Sequence, residues 1–183
     1  MTFDEAMILT RTVSSPAAFE DDECHAYFDI LMTLPENALI VEVGLEYGRS
    51  SSIALQVAKD KTLRYVGIDP FSDEEVYAKW LDMAHQVGFD NMVVVRGKSA
   101  SSRIGSADLV SAILIDGDHS YNAVLDDCSH FLPLVERGGY ALFHDYGRDS
   151  LPEVTQAVDD YFVDEPTWKW YRQVGTLGIW GRL

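Results

Sequence analysis

The stretch VEVGLEYGRSSS, Val41–Ser52, places two glycines just after a run of aliphatic residues. The run that leads into it, residues 38–43, is typical of a buried strand, and residues 50–59 have the apolar spacing of an amphipathic helix. Glycine allows a sharp exit from a strand and lets a ligand approach the start of a helix closely. The stretch therefore predicts a strand, a ligand-binding turn bracketed by Gly44 and Gly48, and a helix.

Short apolar runs and helical patterns alternate through the rest of the chain. Predicted strands cover Leu63–Ile68, Met92–Arg96, Leu109–Ile115 and Tyr140–Phe143, and predicted helices cover Asp73–Gly88, Tyr121–Val135 and Pro152–Val163. The helix from Tyr121 is expected to stop at Gly138 and Gly139. Strands that alternate with helices predict a mostly parallel sheet covered on both faces, a Rossmann-like three-layer α/β sandwich. The aromatic tail around Gly175 predicts an antiparallel C-terminal hairpin.

The length of the chain bounds the number of domains. With 183 residues, 47% of them hydrophobic, it is long enough for one well-packed core and too short for two ordinary ones. We therefore predict a single domain over residues 1–183, made of an N-terminal helical segment at 1–37 and a Rossmann-like core at 38–183. Within the segment, residues 20–34 have amphipathic spacing and are expected to pack beside the first strand.

Charge and cysteine content narrow the partners and the compartment. The chain has 30 acidic and 14 basic side chains and a formal charge of −16, which argues against nucleic acid and for a small-molecule partner. Cys24 and Cys128 fall in separate predicted helices, so no disulfide or zinc site is predicted. The N-terminus is acidic where a signal peptide would be basic, and no apolar run reaches the length of a bilayer span. No membrane association is expected, and a cytoplasmic location is predicted.

The turn departs from the dinucleotide-binding fingerprint in a way that predicts the ligand. Glu46 stands where that fingerprint has its middle glycine, so a pyrophosphate would meet a carboxylate. S-adenosylmethionine (SAM) has no phosphate and carries a cationic sulfonium and an ammonium group. Asp69, at the end of the second strand, is placed to accept hydrogen bonds from ribose hydroxyls. Glu42 would face the ammonium group; its alternative role is that of a partner for a helix terminus.

Polar residues follow two strands that are expected to be neighbours. Asp116, Asp118 and His119 follow one strand and His144 and Asp145 follow the other, at the edge where open α/β sheets bind ligands. Asp116, Asp145 and His144 could hold a divalent metal such as Mg²⁺ that acidifies a substrate hydroxyl. Alternatively, His119 or Asp118 removes the proton without a metal. Imidazole prefers softer metals, so His144 counts against Mg²⁺.

Four stretches carry a resemblance to a known family. They are VEVGLEYGRSS (41–51), YVGIDPF (65–71), AILIDGDHSYNAVLDD (112–127) and GGYALFHDY (138–146). Over residues 38–183 the chain resembles the class I SAM-dependent methyltransferases, and within them the small macrocin O-methyltransferase-like family. The resemblance implies a strand order of 3-2-1-4-5-7-6 with the seventh strand antiparallel. It also implies that Ser99 lies near the adenine, that Pro70 and Phe71 lie along its other side, and that Asp116 contacts the cofactor.

The residues and the resemblance together predict SAM-dependent O-methylation of a small hydroxylated acceptor. The acceptor would be held by the N-terminal segment, by loops at 71–80 and 145–152, or by a second subunit, which predicts an open site or a homodimer. A nicotinamide-dependent oxidoreductase uses the same strand-turn-helix unit and is the first alternative. The second alternative is a non-catalytic module that has the methyltransferase fold.

Overall fold

A seven-stranded sheet forms the centre of the molecule, and the computed structural model describes residues 1–13, 19–102, 104 and 109–183. The strands are β1 (Leu39–Val43), β2 (Arg64–Asp69), β3 (Met92–Arg96), β4 (Val110–Ile115), β5 (Val135–Phe143), β6 (Trp168–Val174) and β7 (Leu177–Arg182). Their order is β3-β2-β1-β4-β5-β7-β6. Strands β1 to β5 are parallel, and β7 runs antiparallel to both β5 and β6. The predicted strand order and C-terminal hairpin are confirmed.

Helices cover both faces of this sheet. They are α1 (Phe3–Thr10), α2 (Asp21–Thr33), α3 (Arg49–Lys61), α4 (Glu74–Val87), α5 (Tyr121–Phe131) and α6 (Pro152–Phe162). Helices α1 to α4 share one hydrophobic cluster with one face of the sheet, and α5 and α6 share a second cluster with the other face. The arrangement is the predicted three-layer sandwich. No helix among the described residues is long and apolar enough to cross a membrane.

The two central strands explain why the ends of several strands meet at one edge. Every residue of β1 and β4 is buried, as expected for strands covered on both faces. The parallel register sets Val43 beside Ile68 and Ile115. The chain leaves all three strands at the same level, and the residues that follow Val43 and Ile115, together with the last residue of β2, lie side by side. This edge holds the predicted site.

Two boundaries differ from the sequence prediction by more than two residues: the end of α5, and the start of β5, which lies at Val135 and not at Tyr140. Helix α5 ends at Phe131, because Pro133 has no N–H to continue it, and a 3₁₀ turn over Leu132–Leu134 leads directly into β5. The prediction of a helix to Val135 that stops at Gly138 and Gly139 is therefore wrong.

Both glycines lie inside β5, at a bulge. The β4–β5 register passes from Val110↔Val135 to Ala112↔Tyr140, so β5 holds extra residues between these pairs. Gly138 has φ +84, and a Cβ on Gly139 would lie 2.9 Å from the Ser111 carbonyl oxygen. Glycine is required here by the conformation and by the close approach of β4.

The N-terminal helices pack on α3, and Phe19 lies at the same edge of the sheet. Helices α1 and α2 pack against α3, and the hydroxyls of Thr10 and Ser52 lie 2.7 Å apart across the α1–α3 contact. The Arg49 side chain donates to the Phe19 carbonyl at 2.5 Å and to Asp21 Oδ1 at 2.6 Å. Phe19, two residues before α2, is thereby held on the wall of the cavity described below.

Candidate functional site

Close packing around the turn after β1 requires glycine at two positions. At Gly44, φ is +86, and a Cβ would overlap the backbone carbonyl of Asp116. At Gly48, φ is +90, and a Cβ would lie 2.5 Å from the Met83 side chain and 2.9 Å from Trp80. Both contacts at Gly48 belong to α4, so its missing side chain makes room for a helix where we had expected it to make room for a ligand.

Asp69 holds the turn in its shape. Its Oδ2 accepts hydrogen bonds from the backbone N–H groups of Leu45 at 2.8 Å and Glu46 at 3.2 Å, and its Oδ1 accepts from Phe71 at 2.6 Å. Glu46 has φ +43, a left-handed conformation that glycine adopts most easily. The Asp69 carboxylate stabilises this backbone and also faces the cavity described below.

Glu42 lies behind the turn. It is fully buried, and its Oε2 accepts hydrogen bonds from the hydroxyls of Tyr65 and of Ser51, the latter at 2.7 Å. Burial raises the pKa of Glu42 to about 7, against the opposing effect of its hydroxyl donors. The predicted contact of Glu42 with an ammonium group stays a prediction, because its side chain is not part of the cavity wall.

A cavity of about 810 Å³ opens at the carboxyl edge of the strands. Nine of the predicted site residues line it: Gly44, Asp69, Pro70, Phe71, Ser99, Asp116, Asp118, His119 and Asp145. Gly48, Glu42 and His144 are the predicted residues that do not. Eight carboxylates stand on the wall, Glu46, Asp69, Asp73, Asp116, Asp118, Asp126, Asp127 and Asp145, against the cations Arg49 and Lys98 and the imidazole of His119. Such a wall favours a cationic ligand over an anionic one.

His144 lies just below the cavity, between three carboxylates. Its Nδ1 is 3.2 Å from Asp116 Oδ1 and 3.5 Å from Asp145 Oδ2, and its Nε2 is 3.2 Å from Glu23 Oε2. The Phe19 ring stacks on the imidazole at a centroid distance of 4.7 Å. Burial alone would lower the pKa of His144, but the carboxylates outweigh burial and raise it. The three carboxylates therefore favour the imidazolium form, in which both ring nitrogens donate.

His119 meets the same carboxylates from the cavity wall. Its Nε2 lies 3.1 Å from Asp145 Oδ2 and 3.7 Å from Asp116 Oδ1, at ion-pair distances but without hydrogen-bond alignment. The carboxylates of Asp116 and Asp145 raise the pKa of His119 to about 9. Arg148 contacts the other Asp145 oxygen at 2.6 Å. Burial alone would raise the pKa of Asp145, but its contacts with His119, His144 and Arg148 lower it.

The carboxylate of Asp118 is hydrogen-bonded to the backbone at the start of α5. Its Oδ1 accepts the Ser120 N–H at 2.9 Å, and this hydrogen bond lowers the pKa of Asp118. An acid with a lowered pKa is a weaker base, so this contact counts against Asp118 as the proton acceptor.

Ser99, the residue expected near an adenine, lies beside a buried acid. Asp127 on α5 is 3% exposed; burial raises its pKa to about 6, and its hydrogen bond with the Ser99 side chain acts in the opposite direction. Both residues line the cavity. This wall therefore offers a hydroxyl and a carboxyl group to a ligand.

Comparison with known proteins identifies the family. The model of a family described as a methyltransferase domain matches residues 41–146, more than half of the chain. The chain belongs to this family. The match begins just before the glycine turn and ends just after Asp145, so it spans every residue that we predicted for the site. The methyltransferase domain is of the class I SAM-dependent type, as the sequence resemblance implied.

Similar proteins support the fold of this methyltransferase domain. The uncharacterised protein R132 of Acanthamoeba polyphaga mimivirus is 29% identical over 153 residues, which cover 76% of this chain and 68% of that protein. The O-methyltransferase NovP superposes with a TM-score of 0.76 at 15% identity, covering 98% of this chain and 97% of NovP. The TDP-rhamnose 3'-O-methyltransferase CalS11 has a TM-score of 0.70 at 14% identity, with coverages of 96% and 92%. A Streptococcus mutans protein solved with S-adenosylhomocysteine (SAH) has a TM-score of 0.70 at 13% identity, with coverages of 91% and 100%.

The predicted metal ligands are brought together but are already paired. The three residues Asp116, His144 and Asp145 each offer one ligand atom, and these three atoms lie within 4.8 Å of one another. Both nitrogens of His144, however, face carboxylates, and the two oxygens of Asp145 contact Arg148 and the two histidines. A metal ligand must offer a lone pair, so a cation here would have to displace the proton of His144 and open the contacts of Asp145. The metal site stays a prediction.

Several site residues escaped the sequence analysis. Phe19 and Glu23 belong to the N-terminal segment, and Arg49 contacts it. Asp127 ends one of the stretches that carry the resemblance, but no role was predicted for it, and Lys98 lies just after β3, outside every predicted element. Glu23 stands in an acidic run, DDE, that is typical of the first turn of any helix. Its role depends on a contact with a residue 121 positions away, for which the local pattern holds no signal.

Proposed function

We propose that this methyltransferase domain transfers the methyl group of SAM to a hydroxyl oxygen of a small acceptor. The observation that carries the proposal is the juxtaposition, on one cavity wall, of a turn held by Asp69 with a histidine–carboxylate cluster. The first supplies a cofactor site and the second a proton acceptor. The O-methyltransferases among the similar structures support oxygen as the methyl acceptor.

The cofactor would occupy the side of the cavity formed by the turn. Asp69 keeps lone pairs for ribose hydroxyls in addition to its backbone donors, because a carboxylate has about four acceptor sites. Pro70, Phe71 and Ser99 would contact the adenine. The acidic wall would stabilise the ammonium and sulfonium charges through their fields, with Glu42 acting from behind the turn.

The acceptor would lie between the sulfonium and His119. The Nε2 atom of His119 is buried against Asp145, which leaves Nδ1 to take a proton. As the acceptor oxygen attacks the methyl carbon, its proton passes to His119, the carbon–sulfur bond breaks, and the bonding electron pair stays on sulfur to give SAH. Asp145 orients the ring, and alignment of oxygen, carbon and sulfur supplies much of the rate.

The proton is removed by the protein in this proposal. A divalent ion at Asp116 and Asp145 would instead acidify the acceptor hydroxyl, but it would have to compete with the contacts that these acids make with His144 and Arg148.

Phe19, from the N-terminal segment, would form one side of the acceptor site. A second subunit would cover the open side of the cavity in a homodimer, and analytical ultracentrifugation tests for this dimer.

Calorimetry followed by a transfer screen tests the function. We expect SAM and SAH to bind with micromolar affinity and NADH not to bind, and we expect labelled SAM to methylate at least one member of a panel of phenols, sugars and small hydroxy acids. Binding of NADH without SAH would instead favour the oxidoreductase. Binding of SAH without transfer to any acceptor would favour a non-catalytic module.

A further inference from the structure

Glu23, on the N-terminal helix α2, is a buried carboxylate whose hydrogen-bonding capacity is filled. It is 2% exposed. Its Oε1 accepts from the Thr176 N–H at 2.6 Å and the Thr176 hydroxyl at 2.9 Å. Its Oε2 accepts from the Glu20 N–H at 2.8 Å and lies 3.2 Å from His144 Nε2. The side chain therefore joins α2, the end of β5 and the β6–β7 turn.

The β6–β7 turn is shaped to receive this carboxylate. Gly175 has φ +55, and a Cβ there would lie 2.5 Å from Glu23 Oε1. Any other residue would press against the acid and strain the turn. Glu23 has little freedom to move toward the hairpin, and its position relative to His144 is fixed.

The contact with Glu23 decides which way the His144 ring faces. With Nε2 held by Glu23, Nδ1 points to Asp116 at 3.2 Å and to Asp145 at 3.5 Å. These two acids line the cavity, and Asp145 is the orienting partner of His119. Without Glu23, nothing holds Nε2 of His144, and the ring can rotate about its side-chain torsions. Asp116 and Asp145 then lose a donor of fixed position.

We propose that Glu23 is a positioning residue for methyl transfer. By holding His144, it sets the carboxylates of Asp116 and Asp145 against His119 and the acceptor, although it touches neither substrate. The N-terminal segment, which lies outside the family match at 41–146, thus completes the catalytic geometry. This inference rests on the proposed function for its effect on rate, but the Glu23–His144 contact can be measured without any acceptor.

The test compares Glu23→Gln with the matched control Asp29→Asn, an acid on the same helix whose partners are His25 and Arg172. We expect Glu23→Gln to lower kcat about ten- to a hundredfold, because small displacements of catalytic groups are costly. The SAH dissociation constant should stay within about twofold of the wild-type value, since the change affects transfer and not cofactor binding. The control should match the wild type in both.

Imidazole ¹⁵N–¹H spectra give the readout that is independent of activity, with the His144 signal assigned from a His144→Gln variant. We expect the Nε2–H signal to shift or disappear in Glu23→Gln, because the amide offers one acceptor oxygen where the carboxylate offers two. An unchanged signal, or equal losses in kcat and SAH affinity, would overturn the proposal. If Glu23→Gln does not fold, Thr176→Val removes one donor to Glu23; a shifted Nε2–H signal supports the proposal and an unshifted one overturns it. A wild type that neither binds SAH nor transfers a methyl group refutes the proposed function, while the ring signal still decides the contact.

Discussion

The glycine turn and the histidine–carboxylate cluster lie on one cavity wall but are built in opposite ways. The turn is held through its backbone: its N–H groups donate to Asp69, and its glycines make room for the backbone of Asp116 and for α4. The cluster is held through charged side chains: α2, the ends of β4 and β5, and the loop after β5 each contribute one or two of them. The turn therefore resists change through backbone geometry, whereas the cluster depends on the mutual placement of charges.

The largest effect is expected at Gly44→Ala, which disrupts the backbone of the glycine turn. The added Cβ would overlap the Asp116 carbonyl, and alanine is strained at φ +86, so we expect loss of several kcal/mol of folding free energy and little soluble protein. Chemical denaturation of any soluble fraction measures it. In the companion variant Gly48→Ala, the added Cβ would meet only side chains of α4, so the loss of folding free energy should be smaller. Equal stability of Gly44→Ala and the wild type would contradict this account of the turn.

Within the cluster, His119→Asn should have the greatest effect on catalysis. Removal of a general base costs about 100- to 10,000-fold in rate. Because the free enzyme must first lose a proton from His119, kcat/KM of the wild type should rise with pH and level off above about 9, the pKa of His119. The exposed His85→Asn variant is the control. A loss smaller than about threefold would assign the base to another group.

Glu42→Gln sharpens the comparison by testing the acid behind the turn. The unfolded chain releases this proton near pH 4.5 and the folded protein only near pH 7. Raising the pH through that window favours the unfolded state, by up to roughly 3 kcal/mol. Urea denaturation between pH 4.5 and 8 should therefore show the stability of the wild type falling relative to that of Glu42→Gln. Exposed Glu36→Gln should follow the wild type, and parallel curves for Glu42→Gln would show that Glu42 ionises normally.

The smallest effect is expected from metal removal. Because Asp116, His144 and Asp145 already pair with one another and with neighbouring cations, methyl transfer should remain within about twofold after chelation. Activity is measured before and after EDTA and again with added Mg²⁺ or Mn²⁺. Loss in the chelator and recovery with either ion would establish the metal site and require the His144 pairs to open.

The same contrast explains what could be read from the sequence. The turn, Asp69 and the strand order follow from periodicity, glycine spacing and the resemblance, because each signal lies within a few residues or is shared by the whole fold. The end of α5 was misjudged because Gly138 and Gly139 have the same local appearance in a helix stop and in a bulge. Glu23 was missed because its meaning arises only when α2 meets β5.

The bulge in β5 has a consequence for insertions and deletions. Side chains alternate along a strand, so the number of residues between Val135 and Phe143 determines which side chain follows at the edge and which face it takes. A one-residue deletion at Gly138 or Gly139 that moved Tyr140–Phe143 by one place along β4 would turn His144, just after the strand, away from its carboxylates. Length variation that surface loops tolerate should therefore be selected against at this glycine pair, which fixes the side chain that joins the histidine–carboxylate cluster.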